Sequence, residues 1–98
     1  MLFEWDEKKN RSNKAKHGLS FEVAIKAFDD RSALHEFNST VGNEDREQIT
    51  GRIEGGLLIV LVVYATKKRN QDDQEIYRII SARKASPNER KRYAEAAV

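Results

Sequence analysis

The sequence predicts an α+β fold, a small antiparallel β-sheet with helices packed on one face, and three observations carry that prediction. Between Arg46 and Tyr64 apolar residues first alternate with polar ones and then run together, with Gly55-Gly56 between as a two-residue hairpin signal. Near the N-terminus, Asp6 and Ser20 each stand in front of a segment with helical character. Towards the other end, Ile76, Tyr77, Ile79 and Ile80 form a β-branched and aromatic run that leads into Ser86-Pro87-Asn88-Glu89, a helix start with its N-cap, first-turn proline and capping-box glutamate in place.

Taken in order, Leu2-Phe3-Glu4-Trp5 alternates apolar with polar and reads as a short strand, with Phe3 and Trp5 assigned to the core. Asp6 caps a helix over residues 8–17, and Gly18 ends it as the left-handed residue after the last turn. Ser20 caps a second helix in which Phe21, Ala24, Ile25 and Phe28 fall at i, i+3, i+4 and i+7, one core-facing stripe that Asp29-Asp30 brings to a stop. Residues 32–37 are expected to be a strand and residues 38–45, polar with one glycine, a loop. From Arg46 the period is two, which sets Ile49 and Ile53 against the core and leaves Arg46, Thr50 and Arg52 on an open face. Residues 57–64 are the central strand, 66–74 a polar loop, and 75–82 the last strand before the C-terminal helix. The expected order is β-α-α-β-β-β-β-α.

Ninety-eight residues make one domain, expected to span 1–98. There is no cysteine, which excludes disulfides, thiolate catalysis and thiolate metal sites. Asp29-Asp30 and Asp72-Asp73 sit in turn contexts with no histidine at ligand spacing, so neither a metal nor another cofactor is expected. The longest apolar run, residues 57–65, is too short to cross a bilayer, and the N-terminus lacks the basic-then-apolar order of a signal peptide. A soluble, cytoplasmic protein without a membrane partner is expected.

The net charge of +2 hides an uneven distribution. Residues 1–17 hold five Lys/Arg against three Asp/Glu, residues 76–98 six against two, and residues 18–75 seven against eleven. If the two ends meet in space they form a basic face. Arg78, Arg83 and Lys84, delivered by one strand to the mouth of a helix, suit an anionic partner.

Phe3-x-Trp5-Asp6, Asn13, Lys16-His17-Gly18, Phe21-x-x-Ala24, Phe28-x-Asp30, Glu44-x-Arg46, Gly51, the run Arg78-Ile79-Ile80-Ser81-Ala82-Arg83-Lys84-Ala85, Glu89-Arg90 and Tyr93 together resemble the BrnT family of bacterial type II toxins. The match covers nearly the whole chain and departs from the usual pattern between Tyr64 and Ile76, where the loop is longer and more charged. The resemblance implies a RelE-like fold and a metal-independent endoribonuclease that inhibits translation and growth. It also implies neutralisation by a BrnA-like antitoxin with a ribbon-helix-helix DNA-binding domain, in a complex, such as a hetero-tetramer, that sits on operator DNA.

Metal-free RNA cleavage needs activation of a 2′-hydroxyl, stabilisation of charge on the phosphorane and protonation of the leaving 5′-oxygen. Arginine suits the second task, which nominates Arg46, Arg78 and Arg83 as phosphate binders. The structural alternative is that these arginines pair with Glu44 or Glu89. His17, at the end of a lysine-rich helix, is the candidate acid or base under the resemblance; read from the residues alone it is a helix cap that bonds the last carbonyls. Glu44 is a second candidate base, or else the partner of Arg46. Lys8, Lys16, Arg52 and Lys84 are expected to bind phosphates, and Tyr64 and Tyr93 to donate a proton or stack on a base unless they are core residues. His35 has no motif around it. Two other classes fit the same charges: a non-catalytic RNA- or ribosome-binding module, and an inactive toxin kept as a regulatory interaction protein. Cleavage in EDTA separates the first class from both.

Overall fold

A computed structural model describes residues 1–69 and 71–97. Its elements run β1 (Leu2–Glu4), α1 (Glu7–His17), α2 (Phe21–Ala24) continued by a 3-10 turn (Ile25–Asp29), β2 (Leu34–Val41), β3 (Glu44–Ile53), a short turn (Glu54–Gly56), β4 (Leu58–Lys68), β5 (Glu75–Lys84) and α3 (Pro87–Ala96). The expected α+β class and element order hold. The five strands form one sheet in the order β1-β5-β4-β3-β2.

Two features of the sheet differ from expectation. β1 pairs parallel to β5, Phe3 opposite Tyr77, so the sheet is mixed; a pairing across more than seventy residues leaves no trace in local periodicity. The helices also divide between the faces. Ile49, Ile53, Val60, Val62, Tyr64, Ile79 and Ala82 pack with Phe21, Ala24 and Ala27 on one side. Thr50 and its cross-strand partner Leu61 point to the other side and are nonetheless buried, because α3 lies over them. Thr50 is therefore covered, not open as expected.

The strands are longer than the sequence suggests. β2 and β3 extend through most of the expected loop 38–45, meeting at a tight turn where Gly42 takes φ 63°. Apart from the exposed Val41 their distal halves are polar, tied by cross-strand bonds such as Thr40 Oγ1 to Asp45 Oδ1 (2.7 Å), so there is no hydrophobic alternation to reveal them. β4 likewise runs on to Lys68, which shortens the expected loop 66–74; Arg69 and Asp72 pair at 2.6 Å within what remains, and Asn70 lies outside the described residues. β5 runs past Ala82 to Lys84.

The helix caps form as expected. Asp6 Oδ1 accepts from the Lys8 N–H, Gly18 closes α1 at φ 70°, and Ser86 with Glu89 makes a full capping box. Gly51 is required for packing: a Cβ there would sit 2.9 Å from the carbonyl oxygen of Ala27, where the 3-10 turn crosses β3. Phe3, Phe28, Tyr64 and Tyr77 form an aromatic cluster beside the core, with ring centroids 5.1–5.9 Å apart. Among the described residues no helix is long and apolar enough to cross a membrane.

Candidate functional site

Alternation along β3 places Glu44, Arg46, Gln48, Thr50 and Arg52 on the α3 side of the sheet. β5 adds Arg78 and Arg83 to that face, opposite Ala65 and Leu61 of β4. Three of these side chains meet. Both carboxylate oxygens of Glu44 accept from Arg78 Nη2, and Arg46 Nε approaches Glu44 Oε1 at 3.5 Å. That last pair is close enough for ionic attraction but poorly aimed, and Arg46 Nε is buried without a hydrogen-bond partner. The Arg78 bond is the main reason why the Glu44 carboxyl is held below its usual range, with Arg46 adding to it.

Arg83 is held elsewhere. It stands five residues along β5 from Arg78, about 16 Å at strand rise, and its guanidinium forks onto Glu89 through Nη1 to Oε1 (2.7 Å) and Nη2 to Oε2 (2.8 Å). Glu89 thereby serves both the capping box and the ion pair, and Arg83 with the box drives its carboxyl down to about 2. Arg52 is engaged by α3: its Nε donates to Tyr93 Oη at 3.2 Å, with the guanidinium carbon 5.5 Å from the ring centre. Tyr93 Oη in turn donates to Asp30 Oδ2 at 2.6 Å, and the same oxygen accepts the Arg52 backbone N–H. Burial raises the Tyr93 hydroxyl, and Asp30 adds to that; burial also opposes ionisation of Asp30, but the Tyr93 bond and two backbone N–H groups outweigh it and lower its carboxyl.

The remaining candidates are dispersed. His17 ends α1 on the stripe it shares with Asn10 and Asn13, partly exposed and without a side-chain hydrogen bond among the described residues. Asn13 fixes that end of the helix: its Nδ2 donates to the Ala82 carbonyl (2.7 Å) and its Oδ1 accepts the Ala82 N–H (3.2 Å). The amide thus continues the edge of β5 where β1 has ended, and it brings the end of α1 beside the residue preceding Arg83. Lys8, Lys16 and Lys84 are exposed and in no ion pair among the described residues.

Tyr64 and Tyr93 are 2% and 1% exposed. Their rings are core, which corrects the expectation of base stacking for the protein as folded. Tyr64 Oη is 3.2 Å from both Glu47 Oε2 and His35 Nδ1. Its single hydrogen goes to the carboxylate, so His35 must donate from Nδ1. Burial, reinforced by Glu47, raises the Tyr64 hydroxyl above its ordinary range. This network on the α2 side of the sheet, and the roles of Asp30 and Asn13, were not foreseen from the residues, although Asn13 and Asp30 are both among the residues that carry the resemblance.

The sheet face therefore offers one converging anion seat, Arg46 and Arg78 around Glu44, and two outlying arginines engaged by α3. A family model described as "Ribonuclease toxin, BrnT, of type II toxin-antitoxin system" matches residues 5–89. No curated protein matches the chain.

Proposed function

The chain belongs to the BrnT family of ribonuclease toxins of type II toxin–antitoxin systems, and from that premise we propose that it cleaves RNA without a metal ion at the Arg46–Glu44–Arg78 cluster. One observation carries the assignment. Two guanidinium groups from different strands converge on a single carboxylate, and one of them keeps a buried N–H unpartnered. Such an arrangement is a seat for an anion with Glu44 as its resident. A scissile phosphate entering the seat takes the arginines, which then stabilise the charge that grows on the phosphorane. Glu44, relieved of Arg78, returns towards ordinary carboxylate basicity beside the phosphate, suited to receive the 2′-hydroxyl proton. The surplus of positive charge in the cluster opposes a divalent cation. Arg83 and His17 belong to the other end of β5, too far along the strand to reach the same phosphate, and are assigned to the flanking RNA; the leaving 5′-oxygen takes its proton from solvent water.

The family implies RNA as substrate and an antitoxin as partner. We assign the antitoxin to the BrnA-like, DNA-binding type and expect it to cover Arg46 and Arg78. The test is incubation of purified protein with RNA in EDTA. Cleavage leaving 2′,3′-cyclic phosphate ends is expected, whereas 5′-phosphate ends, or activity restored only by magnesium, overturn the metal-free mechanism.

A further inference from the structure

Uncompensated positive charge is concentrated away from the candidate active site. Lys8, Lys9, Arg11, Lys14 and Lys16 are all exposed on α1, and none of them is in an ion pair among the described residues. Glu7 is the one acid on the helix itself, and it accepts from Asn10; Glu22 of α2 accepts from the same amide, with Lys14 near enough to help lower its carboxyl. The inner side of the helix is amide rather than apolar. Asn10 bonds Glu7, Glu22 and the Phe21 N–H, and Asn13 clamps Ala82 and the Leu19 carbonyl.

We propose that the outer face of α1 binds the phosphate backbone of single-stranded RNA; the inference rests on the ribonuclease reading above. Three considerations support it. Lys8 and Arg11, and Arg11 and Lys14, are like charges three residues apart on one helix, a repulsion that a polyanion relieves. The cations stand on backbone fixed by two buried asparagines and span about 12 Å along the helix axis, so binding orders side chains only. The helix also adjoins the edge of β5 at Ala82, one residue before Arg83, so a strand lying on α1 leads round that edge towards the sheet arginines.

The test replaces all five cations by glutamine, a good helix former, and leaves Asn10 and Asn13 in place. Binding is measured with a 2′-O-methylated RNA oligonucleotide, which cannot undergo 2′-hydroxyl attack. The variant should keep the parent's circular dichroism and melting temperature, lose about tenfold or more in affinity at low salt, and show a salt dependence shallower by about two, for roughly three lost phosphate contacts. On cleavable RNA the loss should enter through KM. Affinity and salt slope equal to the parent's would overturn the proposal. So would loss of binding to a polyglutamate peptide with RNA binding intact, which assigns the helix to an acidic protein. A parent that binds but never cleaves RNA refutes the ribonuclease reading and leaves this inference standing.

Discussion

The two cationic regions of this protein are built in opposite ways. On the sheet, Arg46 and Arg78 share Glu44 and Arg83 is forked onto Glu89, so each guanidinium lies against a carboxylate of the same chain. On α1, the carboxyl groups serve asparagines while the lysines and arginine face solvent unpaired. Position within the fold, not the number of cations, therefore decides what positive charge can do. Arginines already paired with a carboxylate in a fixed cluster discriminate between one anion and another, because any incoming anion must displace the resident. Unpaired cations on a helix attract any polyanion at longer range and do not discriminate.

The largest expected effect tests the sheet half of that contrast. Arg78→Ala should lower kcat by about a hundredfold to a thousandfold, the loss of roughly 3–4 kcal/mol of transition-state stabilisation, with little change in RNA affinity. Arg83→Ala, remote from the seat, should cost less. Single-turnover cleavage measures both, and an Arg78→Ala protein that keeps parental rates places the chemistry elsewhere.

Next in size is the anchoring of α1. Asn13→Leu strands the buried N–H and carbonyl of Ala82 and should destabilise the fold by about 2–4 kcal/mol. Thermal melting would register that as a drop of at least about 8 °C. A melting point within 2 °C or so of the parent's would show that α1 is not held by its amide.

Glu44→Gln converts the sheet cluster towards the condition of α1 by releasing both arginines. Affinity for non-cleavable RNA should rise by about tenfold, or roughly 1.4 kcal/mol, while cleavage falls for want of a base. Equal loss of binding and cleavage would mean that Glu44 holds the arginines in position and does not compete with the phosphate.

The smallest effect concerns Glu89. Its carboxyl sits near 2 in the folded protein, below its ordinary range, so the folded state favours the ionised form. The stabilisation is complete above the unfolded value, about 4.5, and is lost as pH falls from there towards 2. Half-exposure of Arg83 reduces it to about 1–2 kcal/mol. Urea titrations at pH 6 and pH 3 should differ by more in the parent than in Glu89→Gln, and identical pH dependence would refute the pairing.

Much of the fold was legible because local chemistry specifies it. Asp6, Gly18, Ser20 and the Ser86-Pro87-Asn88-Glu89 box mark helix ends by rules that need no partner. Periodicity placed Ile49 and Ile53 in the core and Arg46 and Arg52 on the opposite face. The parallel addition of β1 and the crossing of α3 over Thr50 depend on pairings remote in sequence, and the distal ends of β2 and β3, polar but for Val41, carry no apolar alternation. For the candidate site, residue chemistry singled out Arg46, Arg78 and Arg83 but could not tell that two converge while the third turns to α3. Only the strand register, with Arg78 opposite Ala65 and Arg83 opposite Leu61, separates them.

The pairing of β1 with β5 bears on when the protein can act during its own synthesis. Leu2, Phe3 and Glu4 find their partners at Ile76, Tyr77 and Arg78, and Asn13 finds its partner at Ala82. None of these contacts can form until β5 has been made. At roughly 5–20 residues per second, the N-terminal strand and helix wait several seconds with their partners unmade, and Arg78 itself arrives on the strand that completes the sheet. A nascent chain interrupted in the loop before β5 therefore lacks both a closed sheet and one of the two guanidinium groups that meet on Glu44, so fold and cluster come into being together, with the synthesis of one strand.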